Sequence, residues 1–272
     1  MSSILYDNIK ELPPMPQIAK MVLDLLEDPD FSFAELVRII SKDANITVAI
    51  LKLANSAFYS PKNKIVNLTQ AMSFLGVKAI KNLVISVSTK SLFLKGRVGI
   101  VDQKLWEHSV GTAVMSRLLM LRVDKKLVEE AFLLGLIHDI GVSVMKMNLE
   151  NYELILQDAF NENIDLCALE NERLGINHAQ VGAELMKFWK MPEIYSDVVL
   201  NHHSPENSAS KSLANVLFLS NNLLKCFGIG IGSCNEEFSK YIEAIGLDEA
   251  VFEDIKGMFK EVYDAEKEIF NI

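Results

Sequence analysis

Apolar positions recur at three- and four-residue intervals along almost the whole chain, the period of helices rather than strands. Residues 16–28 put Ile18, Met21, Val22, Leu25 and Leu26 on one face. Pro13, Pro14 and Pro16 open that segment and Asp28-Pro29 closes it. Ser32 with Glu35 forms a capping-box pattern ahead of a helix carrying Leu36, Ile39 and Ile40. A third helix is predicted over 45–56, with Ile46, Ala49, Ile50 and Leu53 inward. Asn67 with Gln70 caps a short helix ending at Gly76, and a longer one follows over 77–94. Further helices are predicted over 103–121, 126–147, 150–161, 165–172, 178–189, 192–202 and 208–226, with two more at the C-terminus. The segment LVISVS (83–88) alternates as a strand would, but it lies within a longer helical pattern and is read as helix. The fold class is therefore all-α.

The stretch KGRVGIVD (95–102) has two glycines and no helical period, which makes it the best internal boundary. It separates an N-terminal lobe, 1–95, from a second lobe with a C-terminal helical extension, 100–272. At 272 residues, half of them apolar, the chain can bury a sizeable core. The net charge of -9 and the absence of Lys/Arg runs argue against a general nucleic-acid binder. Cys167, Cys226 and Cys234 form no CxxC pair and read as reduced thiols. The first residues lack a signal-peptide shape, and no apolar run approaches the ~18 to 20 residues of a membrane span. These features lead us to expect a cytoplasmic chain without membrane insertion.

The chemistry concentrates in one place. All five histidines lie between His108 and His203. His138 and Asp139 interrupt the apolar run AFLLGLIHDIGV, where a buried His-Asp pair is costly unless a partner, commonly a divalent cation, compensates it. Each position also has a bland alternative. His138-Asp139 could be a core histidine bonded to a carboxylate. His108 could be a satisfied core residue behind Trp106 and Val110. His178 could be a plain first-turn residue after the Asn177 cap, and His202-His203 a surface pair at a helix end stopped by Pro205. The glycine-spaced CFGIGIGSC (226–234) follows no strand and precedes no Lys-Ser/Thr, so it reads as a flexible connector.

Order and spacing outweigh the bland alternatives. The series H…HD…H…HH on successive helices resembles the HD superfamily of metal-dependent phosphohydrolases, including the HD-GYP enzymes. The closest resemblance is to the HDOD family, the HD-related output domains. LPPMPQIAKMVLDLL, ISKDANITVAILKLANSAFY, LTQAMSFLGVKAIKNLV, LWEHSVGTA, EEAFLLGLIHDIG, HAQVGAELMKFWKMP and NHHSP are similar to HDOD segments in their usual order. LANSAF is the most specific, because ordinary HD enzymes lack this N-terminal lobe. Asn55 and Ser56 within it read as a helix-ending cap that organises the lobe, with a ligand or partner role as the alternative.

The resemblance implies an N-terminal helical lobe packed on an HD-type lobe. It implies one metal site at His108, His138 and Asp139 and a second at Asp139, His178, His202 and His203. One or two ions of Fe, Mn, Zn or Ni would suit such ligands, with no organic cofactor. Three departures weaken catalysis. The late Asp of HD enzymes should fall near Asn221, a neutral and weaker ligand, and no acidic residue occurs from 207 to 235. The Lys of HDxGK is replaced by Val142 in HDIGV, and SPENSAS stands in place of a GYP segment. The expected function is thus a bacterial signal-transduction module that is non-catalytic and works through signalling protein partners. A nucleotide ligand is compatible with it. The rival is a metal-dependent phosphohydrolase acting on a nucleotide or cyclic dinucleotide. The chain contains no receiver, kinase or GGDEF-like segment, so its input is expected from elsewhere.

Overall fold

A computed structural model describes residues 9–94, 99–234 and 237–270. The lobe boundary expected over 95–102 falls partly outside these residues. Among the described residues every regular element is helical. In order these are α1 (Gln17–Leu26), α2 (Phe33–Ile40), α3 (Ala44–Ala54), α4 (Leu68–Leu75), α5 (Val77–Phe93) and α6 (Ile100–Val123). They continue with α7 (Val128–Ile137), α8 (Ile140–Asn148), α9 (Tyr152–Glu162), α10 (Leu166–Leu174) and α11 (His178–Phe188). The last four are α12 (Glu193–Leu200), α13 (Lys211–Cys226), α14 (Ser239–Ala244) and α15 (Glu249–Glu266).

The chain divides into two compact units. One comprises residues 15–91 and 258–272, the other residues 1–14 and 92–257. Residues 258–272 thus group with the N-terminal helices, whereas the sequence pattern assigns them to the extension of the second lobe.

In the first unit, Val22, Leu36, Ile40, Ile46, Ile50, Met72 and Ile80 are buried and form the core. The caps read from sequence are present. Ser32 Oγ accepts from the Glu35 N–H at 3.4 Å, and Asn67 Oδ1 from the Gln70 N–H at 2.9 Å. The apolar stretch Leu68–Phe93 has the length and hydropathy of a membrane span, but Gly76, at φ 83°, breaks it into α4 and α5.

The second unit is organised around α6, which is buried along most of its length. α7 crosses it closely enough that a Cβ at Gly135 would meet the Ala113 Cα at 2.6 Å. The predicted single helix over 126–147 is instead two helices, because the chain turns at His138-Asp139. Asp139 takes the non-helical N-cap position of α8, at φ -94° and ψ 12°. That turn aims the two adjacent side chains into the same space, which an unbroken helix, with neighbours about 100° apart, would resist. α8 then packs on α11 at Gly141, where a Cβ would lie 1.9 Å from the His178 carbonyl oxygen.

Candidate metal centre

Five elements bring the candidate residues together. α6 carries His108, the α7–α8 turn His138 and Asp139, the first turn of α11 His178, the turn after α12 His202 and His203, and α13 Asn221. All but His203, which is half-buried, are buried. Two groups of ligand atoms form, each with its members within 4.8 Å of one another: His108, His138 and Asp139; and Asp139, His178, His202 and His203. Asp139 belongs to both. Its Oδ2 lies 3.1 Å from His138 Nε2 and 3.8 Å from His108 Nε2. Its Oδ1 lies 3.3 Å from His178 Nε2 and 3.4 Å from His202 Nε2. His203 Nε2 stands 2.9 Å from His178 Nε2. Ligand atoms ~2.1 Å from one ion, at tetrahedral or octahedral angles, lie ~3.0–3.4 Å apart, so the spacings of His138, His178 and His202 from Asp139 fit a shared cation, while His108 at 3.8 Å stands farther off.

The tautomers follow from the outer ring nitrogens. His108 Nδ1 lies 2.9 Å from the Ile229 carbonyl, His138 Nδ1 2.8 Å from the Gly135 carbonyl and His202 Nδ1 2.7 Å from the Val199 carbonyl. A carbonyl only accepts, so each Nδ1 carries the proton and donates. The inward Nε2 atoms of neutral rings are then bare lone pairs. His138 Nε2 and His202 Nε2 are buried without a hydrogen-bond partner among the described residues. Asn221 adds another acceptor, its Oδ1 3.0 Å from His108 Nε2. Acceptors facing a carboxylate in a buried space repel one another, and a cation among them removes the repulsion. The cluster can therefore hold a metal ion.

Burial pushes His108 down to about 4, against the opposing pull of Asp139, and does the same to His202. Burial also drives His203 well below the usual range, helped by His202, His178 and the charge of Lys225. Protons on the facing rings can take the place of a cation: burial alone would raise Asp139, but the charge of a protonated His138 and hydrogen bonds donated by His138, His178 and His202 outweigh it and hold the carboxyl well below its ordinary value. His178 differs. Burial lowers it, yet Glu170 and Asp139 prevail and hold it well above the ordinary value.

Glu170 was not legible as a site residue. It is fully buried on α10 and accepts from His178 Nδ1 at 2.6 Å and from the His178 N–H at 2.9 Å. The Tyr152 hydroxyl donates to its other oxygen. Its signal was a lone carboxylate beside Leu166 and Leu169, on the apolar side of its helix. Carboxylates behind a ligating histidine fix its tautomer and raise its basicity. Glu170→Gln is expected to weaken metal affinity by roughly 10- to 100-fold with the fold intact, read by competition against a chromophoric chelator. The glycine-spaced segment at 226–234 also has a position in the site. Gly230, at φ 125°, lies against the His108 ring, and a Cβ there would meet Nδ1 at 2.7 Å.

Comparison with known proteins gives these residues a family. The HDOD domain model matches residues 12–205, which include all five histidines. The chain belongs to the HDOD family. An HDOD protein of unknown function from Geobacter sulfurreducens has a similar structure, with a TM-score of 0.81 at 22% identity, covering 98% of this chain and 96% of that one. A candidate metal-dependent phosphohydrolase from Shewanella amazonensis aligns with a TM-score of 0.73 at 21% identity, covering 98% and 96%. A candidate signal transduction protein from Marinobacter aquaeolei aligns with a TM-score of 0.71 at 22% identity, covering 99% of this chain and 61% of that one. At these identities the likeness speaks to the fold. An uncharacterized Treponema pallidum protein is 26% identical over 204 residues, and the match spans 73% of this HDOD chain but only 39% of that relative.

Proposed function

We propose that this HDOD chain is a cytoplasmic signal-transduction module that holds one or two divalent ions at the His/Asp cluster and acts through protein–protein contacts without catalysis. The observation that carries the metal is the convergence of bare imidazole nitrogens on Asp139, with His138 Nε2 and His202 Nε2 lacking any donor among the described residues. His108, His138 and Asp139 would hold one ion, and Asp139, His178, His202 and His203 the other. Nitrogen and carboxylate ligands suit Fe, Mn, Zn or Ni.

The non-catalytic part rests on what surrounds the cluster. Val142 is buried in the first turn of α8, where related enzymes are expected to place a lysine. A group aimed at transition-state charge is commonly worth several kcal/mol, and a valine offers none. Asn221 stands where a carboxylate would complete the first cluster. The half-buried Lys225, one helical turn beyond Asn221, contributes a positive charge that His108 and His203 sense, but from a different helix.

One observation favours the second reading, a metal-dependent phosphohydrolase acting on a nucleotide or cyclic dinucleotide. Asp139 turns one oxygen to each cluster, as a bridging carboxylate does. Bound ions of that kind supply Lewis acidity and an activated water. The test is metal content of protein purified without chelators, followed by a phosphodiesterase screen with Mn or Fe supplied. Stoichiometric metal without turnover is the expected result. Turnover that disappears in Asp139→Asn overturns the non-catalytic reading, and folded protein that binds no metal overturns the site.

A further inference from the structure

The two ligand groups that share Asp139 are unequal, and they differ at His108. The Nε2 atoms of His138, His178 and His202 stand 3.1, 3.3 and 3.4 Å from a carboxylate oxygen of Asp139, whereas His108 Nε2 stands 3.8 Å away. His138 Nε2 and His202 Nε2 have no hydrogen-bond partner among the described residues. His108 Nε2 has two neighbours of its own, Asn221 Oδ1 at 3.0 Å and Thr112 Oγ1 at 3.5 Å. With the Nδ1 proton given to the Ile229 carbonyl, Nε2 is a lone pair and needs a donor. The Thr112 hydroxyl can supply one. So can Asn221, because its amide carries an acceptor at one end and donors at the other. Turned over, the amide puts Nδ2 where Oδ1 stands, with no change of volume. Among the described residues its side chain has no hydrogen-bonded neighbour except His108, so no other bond opposes the turn.

The His108 ring is also held at its outer edge. Nδ1 lies 2.9 Å from the Ile229 carbonyl, and Gly230 approaches so closely that a Cβ there would meet Nδ1 at 2.7 Å. The same segment is pinned two residues on. Gly232, at φ 82°, lies against the Ile164 carbonyl, which an added Cβ would meet at 2.7 Å. Two ligands on one ion stand ~3.0–3.4 Å apart, so His108 must shift toward Asp139 while bonded at both ring nitrogens. The other group carries no such restraint. Glu170 behind His178 and the Val199 carbonyl behind His202 hold rings whose Nε2 atoms already stand within 3.4 Å of Asp139. His138 Nε2 is bare and 3.1 Å from Oδ2, so it still offers a nitrogen to a second ion. The group containing His108 is therefore weakened rather than lost.

We propose that the two groups fill in order. Asp139, His178, His202 and His203 take the first ion. His108, His138 and Asp139 take a second only at higher metal, when His108 Nε2 exchanges Asn221 and Thr112 for the ion. The order rests on the reading of the cluster as a metal centre. It makes Asn221 the residue that sets how many ions are held, and it gives the module two loaded forms, with one ion or with two.

The test titrates the full chain, stripped of metal by chelator, with zinc chloride. Calorimetry counts the ions, and imidazole ¹H–¹⁵N correlations report each ring. Two steps are expected, the second weaker by at least ~10-fold, the factor that one net hydrogen bond implies. The His178 and His202 signals should move with the first equivalent. The His108 signals should hold through it and move with the second. His202→Gln should remove the tighter step and His108→Gln the weaker one. Asn221→Asp, once ionised, cannot donate to the lone pair and adds a charge beside the ion, so it should tighten the second step by at least ~10-fold. Should that variant fail to fold, the wild-type ring signals carry the test. One equivalent alone, with the His108 signals unmoved, is the strong limit of the same order. Two equivalents bound in a single step overturn it. So do His108 signals that move with the first equivalent, loss of the tighter step in His108→Gln, or a folded Asn221→Asp whose second step is unchanged. Folded protein that binds no zinc overturns the metal reading itself, and the order with it.

Discussion

Asp139→Asn is expected to abolish stoichiometric metal at both clusters in one step. Asp139 is the residue common to the two ligand groups, with Oδ1 facing His178 and His202 and Oδ2 facing His138 and His108. Asparagine preserves the volume but replaces a full negative charge with a neutral amide. Its nitrogen, whichever side it occupies, turns a donor toward imidazole lone pairs. Each cluster keeps its imidazoles but loses the charge that offsets a dication in a buried space. Altering an outer partner of a ligand typically costs 10- to 100-fold in metal affinity, so loss of the shared ligand itself should exceed ~100-fold. Elemental analysis of the purified variant checks this directly. Added metal should raise the melting temperature of the wild-type protein and leave that of the variant unchanged. A variant that retains one equivalent of metal would show that the clusters do not share a ligand.

Gly141→Ala should be the most damaging glycine-to-alanine change among the described residues. The new Cβ would lie 1.9 Å from the His178 carbonyl oxygen and 2.8 Å from the Gly182 nitrogen. Both obstacles are backbone in α11, so no rotamer change relieves them. The helices must separate, and His178 sits on the residue that is pushed. Overpacking a tight interface costs about 1–3 kcal/mol, and a backbone collision of this depth belongs at or beyond the upper end. Urea unfolding should show a loss of about 3 kcal/mol or more, with metal content falling in whatever protein still folds. Gly257 is the matching control. It lies in α15, and a Cβ added there would have nothing within 4 Å, so Gly257→Ala should gain up to ~1 kcal/mol from helix propensity. Equal stability of Gly141→Ala and wild type would contradict the close α8–α11 approach.

Most of the helices were legible because their apolar stripes, caps and stops agree with one another. Ser32, Asn67 and Asn177 all cap where the pattern placed them. The break at His138-Asp139 was not legible. Nothing in AFLLGLIHDIGVSVM interrupts helical periodicity, and the turn lies between the close approach of α7 to α6 at Gly135 and that of α8 to α11 at Gly141. The six candidate ligands were legible only through order and spacing, since each histidine alone had an ordinary explanation. Glu170 and Ile229 escaped for different reasons. Glu170 contacts a residue eight positions away, on the next helix. Ile229 contributes a carbonyl, which no sequence pattern distinguishes. CFGIGIGSC looked like a connector because glycine spacing reports backbone freedom and says nothing about which carbonyl is held against a ring.

The outer anchors of the imidazoles bear on how such a site can drift over generations. Three of them are main-chain carbonyls, at Gly135, Val199 and Ile229. Every residue type supplies a carbonyl, so mutation at those positions cannot delete the acceptor that aims the ring. His178 instead depends on a side chain, Glu170. Substitution at Gly135, Val199 or Ile229 therefore leaves the acceptor in place, whereas substitution of Glu170 removes it. The candidate metal cluster is thus buffered against mutation at these anchors in a way that a site aimed only by side chains is not.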